Sequence, residues 1–185
     1  MKNYYMITKE ATKYWKKAIK NDRVMVTQHD GTIYIVNGYN AFKFPATPAI
    51  WDEIARPAFM QDMPEEGKAF QYLRGEKQPA TSVDIVRLID RNLEDTTPAA
   101  RSPFAFDSKN ISVRLYKNSY GSITGINSAY DAMVDPSQVS NMYCAGKLSP
   151  VILSNDHFTA LLMPVRLDYT LTEAARETFS TLLEG

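Results

Sequence analysis

The sequence is poor in cysteine and histidine and contains no long apolar segment. Cys144 is the single cysteine among 185 residues, so no disulfide can form within the chain and a reducing compartment is expected. His29 and His157 fall in polar turn signals without a second ligand at metal spacing, so neither a metal site nor a cofactor is expected. No apolar run is long enough to cross a bilayer, and the first residues lack the pattern of a signal peptide. The sequence therefore predicts a cytoplasmic protein without membrane contact.

An excess of one charge and the common catalytic motifs are also missing. Lys plus Arg and Asp plus Glu both number 21, which argues against a general nucleic-acid coat but leaves a local basic face possible. No phosphate loop, dinucleotide fingerprint or nucleophile elbow occurs, and Cys144 has no neighbouring base in sequence that would activate it. The spacing of Asp84, Asp90, Glu94 and Asp95 is typical of a charged helix surface. We expect a protein that is not an enzyme.

Residues 1–45 predict a strand, a helix and three strands. Tyr4 to Ile7 predicts the first strand, and Thr8 can cap the helix that follows it. The β-branched runs on either side of Asp30-Gly31 predict a hairpin, and residues 39–44 predict one more strand. Apolar residues recur on one face of the predicted helix at the i, i+3, i+4, i+7 and i+8 spacing: Ala11, Tyr14, Trp15, Ala18 and Ile19.

Residues 46–100 predict a helical insertion. Thr47-Pro48 favours a helix start, and Pro57 is expected to limit that helix. We expect a second helix from Pro64 to Leu73 and a third from Ser82 to Leu93.

Residues 101–167 repeat the pattern of the first unit, and a C-terminal helix is expected within 168–185, from Thr172 to Leu183. Alternating apolar residues are the main strand signal in this part of the chain. The sequence thus predicts a single α+β domain of two strand-helix-three-strand units, with a helical insertion between them. The elements predicted for the second unit are strands at 104–107, 111–117 and 121–126, a helix at 128–134, and strands at 139–145, 149–154 and 158–165.

The stretch from Gly121 to Leu167 resembles the closing half of the last domain of the bacterial DNA polymerase III sliding clamp. Ile126-Asn-Ser-Ala-Tyr-Asp-Ala-Met-Val134 is similar to its strand-to-helix passage, and Ala160-Leu-Leu-Met-Pro-Val-Arg-Leu167 is similar to its final strand. The resemblance implies a DNA-clamp fold, a non-enzymatic role in DNA replication, and protein or DNA partners. A clamp subunit has three such domains and ends near this motif, whereas this chain has room for one and continues to Gly185. The resemblance therefore implies a single-domain relative, for which a replication accessory protein of a mobile element is one setting.

In the clamps the closing strand forms part of a groove for linear peptides of partner proteins. The resemblance implies a peptide-binding role for Met163, Pro164, Val165, Arg166 and Leu167. A flexible methionine beside an apolar shelf suits such a groove. An equally open interpretation is an edge strand that ends at a proline, with the stem of Arg166 covering apolar surface. Phe179 and Leu182 of the last helix would then fill the groove or complete the core.

The first predicted helix carries a row of lysines opposite its apolar face: Lys9, Lys13, Lys16, Lys17 and Lys20. Clamp helices face DNA phosphates, so the resemblance implies contact with duplex DNA, with a ring of several copies as the alternative function. The other interpretation is a solvated helix face. Asp131, in a second helix without Lys or Arg, counts against a symmetric DNA-lining surface. The sequence leaves the oligomeric state open.

Aromatic residues around the predicted hairpin raise a further alternative. Tyr34, Tyr39, Phe42 and Phe44 alternate as ordinary sheet residues do, so single-strand binding by base stacking is a minor interpretation.

Overall fold

The structure, a computed structural model, describes residues 5–81, 83–94, 96–108 and 110–167 together with Glu173 and Glu177. Tyr4 lies outside the described residues. The predicted C-terminal helix also lies outside them, except for the two glutamates. No helix in the described part of the chain is long and apolar enough to cross a membrane.

The first unit has the predicted helix and three strands. Thr8 caps the helix by accepting a hydrogen bond from the backbone N–H of Glu10. In the hairpin, Asp30 and Gly31 adopt φ values of 48° and 66°, as a two-residue turn between twisted strands requires. Instead of the predicted opening strand, Ile7 makes a single bridge to Val134. The elements are α1 (Lys9–Asn21), β1 (Arg23–His29), β2 (Thr32–Asn37) and β3 (Asn40–Pro45).

The first helix of the middle segment passes through Pro57 rather than ending there. Thr47 caps α2 (Pro48–Ile50), a π-helical turn follows at Trp51–Ala55, and α3 (Arg56–Phe59) completes the helix. The π turn shifts the hydrogen bonding by one residue, so that the N–H of Arg56 reaches the carbonyl of Trp51. A proline has no N–H to lose at the start of the new α segment, which is why Pro57 is accommodated there.

The predicted helix from Pro64 to Leu73 is wrong. This region forms a β-hairpin of β4 (Ala69–Leu73) and β5 (Glu76–Pro79). Arg74 and Gly75, with φ of 49° and 91°, make its two-residue turn. Phe70 and Tyr72 follow the period of two of a strand, and β4 pairs with β1. The predicted third helix is confirmed as α4 (Val83–Asn92).

The second unit again shows the order strand, helix and three strands, preceded by a long hairpin. The hairpin begins earlier than predicted, at Ala99. The short helix ends earlier than predicted, at Asp131, because the chain then turns to meet the first unit: the N–H of Thr8 donates to the carbonyl of Met133. The elements are β6 (Ala99–Ser108), β7 (Ile111–Asn118), β8 (Ile123–Asn127), α5 (Ser128–Asp131), a 3₁₀ turn (Pro136–Gln138), β9 (Asn141–Tyr143), β10 (Val151–Ser154) and β11 (Thr159–Leu162).

The strands form two antiparallel sheets. The large sheet has the order β5-β4-β1-β2-β3-β11-β10-β9, and the small sheet has the order β6-β7-β8. The two units join where β3 pairs with β11, with Phe42 opposite Ala160. The helix α1 packs on one face of the large sheet, where the Trp15 ring meets Phe42 edge-on at 5.4 Å. The helix α4 covers part of the other face, where Tyr34 and Leu161 are buried in one cluster with Ile89. The predicted α+β class is confirmed.

Candidate functional site

The closing segment, residues 163–167, crosses from the large sheet to the small one. The N–H of Met163 donates to the carbonyl of Tyr39 at 2.9 Å, and the N–H of Val165 donates to the carbonyl of Gly125 at 2.8 Å. These two backbone bonds attach the segment to the turn that precedes β3 and to β8. The backbone of the segment is therefore held at its first and its middle residue.

The five residues predicted to bind a peptide divide into two groups. Val165 and Leu167 pack against the small apolar core of Val113, Leu115 and Ile123. Leu167 lies so close to Gly125 that a Cβ there would stand 2.3 Å from Leu167 Cδ2. Val165 and Leu167 therefore serve the protein's own packing.

The remaining three residues form the accessible part of the closing segment. The Met163 side chain is 38% exposed, Arg166 is exposed, and Pro164 is half-buried. A flexible thioether and a guanidinium on a backbone held at Met163 and Val165 can contact apolar and acidic groups of a partner.

Three tyrosines form a second surface, here called the tyrosine platform: Tyr14, Tyr39 and Tyr130. The rings of Tyr39 and Tyr130 stack at 5.9 Å with an angle of 17° between their planes. Tyr130 meets Tyr14 edge-on at 5.4 Å. Sequence reasoning missed this surface, because α1, the end of the β2–β3 turn and α5 contribute one ring each.

The buried side chain of Asn37 holds the platform in place. Asn37, which is 2% exposed, donates from Nδ2 to the Tyr14 hydroxyl at 2.8 Å and accepts from the N–H of Tyr39. Burial, followed by the hydrogen bond with Tyr14, raises the pKa of Tyr130 above its ordinary value, so its hydroxyl is neutral at physiological pH. Their mutual contacts and the hydrogen bonds of Asn37 thus order the three rings into one surface.

All five predicted lysines lie on the solvent side of α1 and are exposed. At 3.6 residues per turn their spacing places them on one narrow face, opposite the buried Ala11, Trp15 and Ala18. Lys13 pairs with Glu10 at 2.6 Å, and within the described ranges the other four have no ion pair. The platform lies beside this lysine stripe (Lys9, Lys13, Lys16, Lys17 and Lys20), since Tyr14 and Lys17 are three residues apart on α1 and are therefore neighbours on its surface.

Asp131 places no negative charge on the surface of α5, although this helix carries no Lys or Arg that could contact DNA. Asp131 is only 3% exposed and accepts a bidentate pair from Arg101, with Nε–Oδ1 at 3.0 Å and Nη2–Oδ2 at 2.5 Å. Arg114 Nε lies 3.3 Å from Oδ2, and the Tyr116 hydroxyl donates to Oδ1 at 2.5 Å. Two guanidinium groups therefore face one carboxylate, and this cluster contributes no exposed negative charge.

The other candidates from the sequence have structural roles. Cys144 is fully buried, as expected, with its Sγ 3.2 Å from Thr124 Oγ1. His29 ends β1, where Asp30 and Glu66 come within 4.8 Å of it. The Glu66 carboxylate is already used, since it accepts the N–H groups of the hairpin turn.

The structure also describes His157 and part of the group of candidate acids. His157 lies in a turn held by Asn155. Among the candidate acids, Asp90 pairs with Lys43 at 3.2 Å, while Asp95 and the Asp84 side chain lie outside the described residues.

The largest of the described clefts lies apart from both surfaces. It is an open depression of about 660 Å³ beside β4 and β5, lined by Asp62, Glu65, Lys68, Phe70 and Lys77 among others. Its charged groups are mixed in sign and give no convergent catalytic arrangement.

Comparison with known proteins gives two solved structures of DNA polymerase III β subunits, the family that the sequence resembles. A protein assigned as this subunit from Eubacterium rectale aligns at 10% identity and a TM-score of 0.33, covering 85% of this chain and 64% of its own length. The subunit from Borrelia burgdorferi, solved with a natural product, aligns at 12% identity and a TM-score of 0.34, covering 90% of this chain and 67% of its own. The chain thus spans less than two thirds of the first protein. No protein-family model matches the sequence, and no curated protein matches it significantly.

Proposed function

We propose that the chain is a non-enzymatic interaction module that binds a linear peptide of a partner protein at Met163, Pro164 and Arg166. The observation that supports this function is the exposure of Met163 and Arg166, with Pro164 half-buried between them, on a segment whose backbone is bonded to Tyr39 and Gly125. Pre-organised backbone lowers the entropy lost on binding. The sequence resemblance to the peptide groove of the clamps points to the same residues.

The test is a selection of short random peptides displayed on phage against the purified chain. We expect the enriched peptides to lose binding to the Met163→Lys variant and to the Arg166→Glu variant. Leu148→Lys is the matched control, because Leu148 is a 68% exposed apolar residue on another loop. Peptides that bind Met163→Lys as tightly as the original chain, or a selection that enriches nothing, would show that this surface is not a peptide site.

A second candidate function is sequence-independent binding of duplex DNA along the lysine stripe. Phosphate contacts by lysines release counterions, so the affinity should fall with salt by roughly 0.9 logarithmic units per tenfold salt for each phosphate neutralised. Lys13, Lys16 and Lys17 changed together to Glu should abolish duplex binding in a gel-shift assay, whereas Lys68 and Lys147 changed to Glu should not. Equal binding by the two variants would refute the assignment.

The sheet edges bear on whether copies of the chain can close into a ring around DNA. The outer edge of β5 carries Lys77 and Pro79, which discourage strand pairing. The outer edge of β9 is partly covered, since Tyr143 bridges Pro98 and the N–H of Cys144 donates to the carbonyl of Thr97. These edges favour a monomer. Light scattering at low and high salt measures the mass directly, and a stable assembly of several copies would support the ring instead.

A further inference from the structure

We propose that the tyrosine platform stacks unpaired bases, so that single-stranded nucleic acid binds with its bases on Tyr39 and its phosphates along the lysine stripe. This function is independent of peptide binding at the closing segment. It also differs from duplex binding, because the aromatic face of a side chain can stack only on a base that is not paired and stacked within a helix.

The exposed ring of Tyr39 is the entry point for a base. Tyr39 is 51% exposed although one face of its ring lies against Tyr130. Part of the Tyr39 ring therefore stays open to solvent, and a base placed against it would extend an existing stack of two rings. Stacking of this kind tolerates every base, because each base has an aromatic face.

The platform is ordered before any ligand arrives. The N–H of Tyr39 donates to Asn37 Oδ1 at 3.1 Å, and its carbonyl accepts from Met163. Tyr14 is held by Asn37 and by its edge contact with Tyr130. Little conformational entropy would be lost when a base stacks.

Charge complementarity favours a polyanion as the occupant. Lys17 lies one turn beyond Tyr14 on α1, a separation of about 5–6 Å between Cβ atoms. Glu10, an acid on the same helix, is neutralised by Lys13. Asp22, just after the helix, accepts the N–H of Arg23, and its carboxylate lies close enough to Tyr130 to contribute to the raised pKa of that hydroxyl. Phosphates can therefore follow the lysines while the bases reach the rings.

The experiment is fluorescence anisotropy of the full chain with a labelled oligothymidylate, the same strand made abasic, and a duplex of equal length. The variants are Tyr39→Ala, Tyr39→Phe, which keeps an aromatic face, and Tyr120→Ala, a matched control since Tyr120 is 83% exposed in the β7–β8 turn. Circular dichroism confirms that each variant folds. Because Tyr39 is largely exposed, its substitution should leave the core intact.

We expect Tyr39→Ala to weaken binding of the oligothymidylate about five- to 150-fold and to leave duplex and abasic affinity unchanged. Tyr39→Phe and Tyr120→Ala should bind within about twofold of the original chain. The proposal is overturned if the chain does not bind the oligothymidylate at low salt, if the abasic strand binds as tightly, or if Tyr39→Ala has no effect. If Tyr39→Ala instead removes only the peptides selected above, the platform belongs to the peptide surface. Arg166→Ala separates the two functions, since it should weaken binding of the selected peptides while Tyr39 and the lysine stripe still bind the oligothymidylate.

Discussion

Replacing Asp131 with asparagine should destabilise the protein far more than an ordinary surface charge change. The substitution keeps the side-chain shape but removes the charge that two arginines and Tyr116 share. Removing one partner of a fully buried ion pair costs about 3–5 kcal/mol. Arg101 and Arg114 retain 20% and 16% side-chain exposure and so recover some hydration. We therefore expect a loss of about 2–4 kcal/mol in the free energy of unfolding.

Urea unfolding followed by tryptophan fluorescence measures this loss, because Trp15 and Trp51 are both buried and report on the main core. The midpoint should fall while the slope with urea stays constant, as for a change in stability alone. Asp52→Asn is the matched control. Its carboxylate pairs with Arg56 at 3.0 Å on an exposed helix face, and such pairs contribute about 0–1 kcal/mol.

A result in which Asp131→Asn costs no more than Asp52→Asn would refute the reasoning about the buried cluster. Tyr116→Phe gives an intermediate reference, since it removes one hydrogen bond to a charged acceptor, worth about 1.5–3 kcal/mol. The double variant should cost less than the sum of the two single changes, because both remove the same contact.

Three further predictions follow from contacts and pKa shifts. Gly125→Ala should lower the free energy of unfolding by about 1–3 kcal/mol, because its Cβ would stand 2.3 Å from Leu167. In thermal unfolding, the double variant with Leu167→Ala should regain part of the lost stability. Gly38→Ala, where a Cβ meets no atom within 4 Å, should lose none. Backbone N–H groups of the hairpin turn lower the pKa of Glu66 from 4.5, so its contribution to folding stability is present above that pH and is lost as the pH falls. In a plot of unfolding free energy against pH, the fall on the acid side should be shallower for Glu66→Gln. An identical plot would contradict this. Burial and then Asp131 raise the pKa of Tyr116 well above 10.0, so its contribution to folding stability is complete below about pH 10 and declines as the pH rises. Urea unfolding at alkaline pH should show a smaller loss of unfolding free energy in Tyr116→Phe than in the original chain. An equal loss in both would argue against the pKa shift.

Local signals in the sequence were enough to predict the elements that depend on neighbouring residues. The spacing of the apolar residues and the Thr8 cap specify α1, and Asp30-Gly31 specifies the hairpin, because each signal lies within a few residues of the structure that it predicts. The helix predicted for residues 64–73 was wrong for the opposite reason. Its strand β4 depends on pairing with β1, far away in the chain.

The candidate site was predicted in part. The solvent-facing position of the lysine stripe is confirmed, since helical periodicity determines which side of α1 is exposed, whereas its contact with DNA stays a prediction. The division of the closing segment into packed residues (Val165 and Leu167) and accessible ones could not be predicted, because it depends on Gly125 leaving room for Leu167. The tyrosine platform could not be predicted either, because no spacing rule relates Tyr14 to Tyr130.

A net charge of zero does not determine how charge is distributed over the surface of the protein. Several acids serve the fold: Asp131 balances two arginines, Glu66 holds the hairpin turn, and Asp135 accepts the N–H of Ser137 in the 3₁₀ turn. Of the five lysines in the stripe, only Lys13 is paired among the described residues. Acids held by backbone N–H groups or by buried arginines are already engaged within the fold, and the other four lysines of the stripe have no ion pair among the described residues. A neutral chain can therefore present a cationic helix surface, and the balance of charged residues in the sequence does not exclude a nucleic-acid partner.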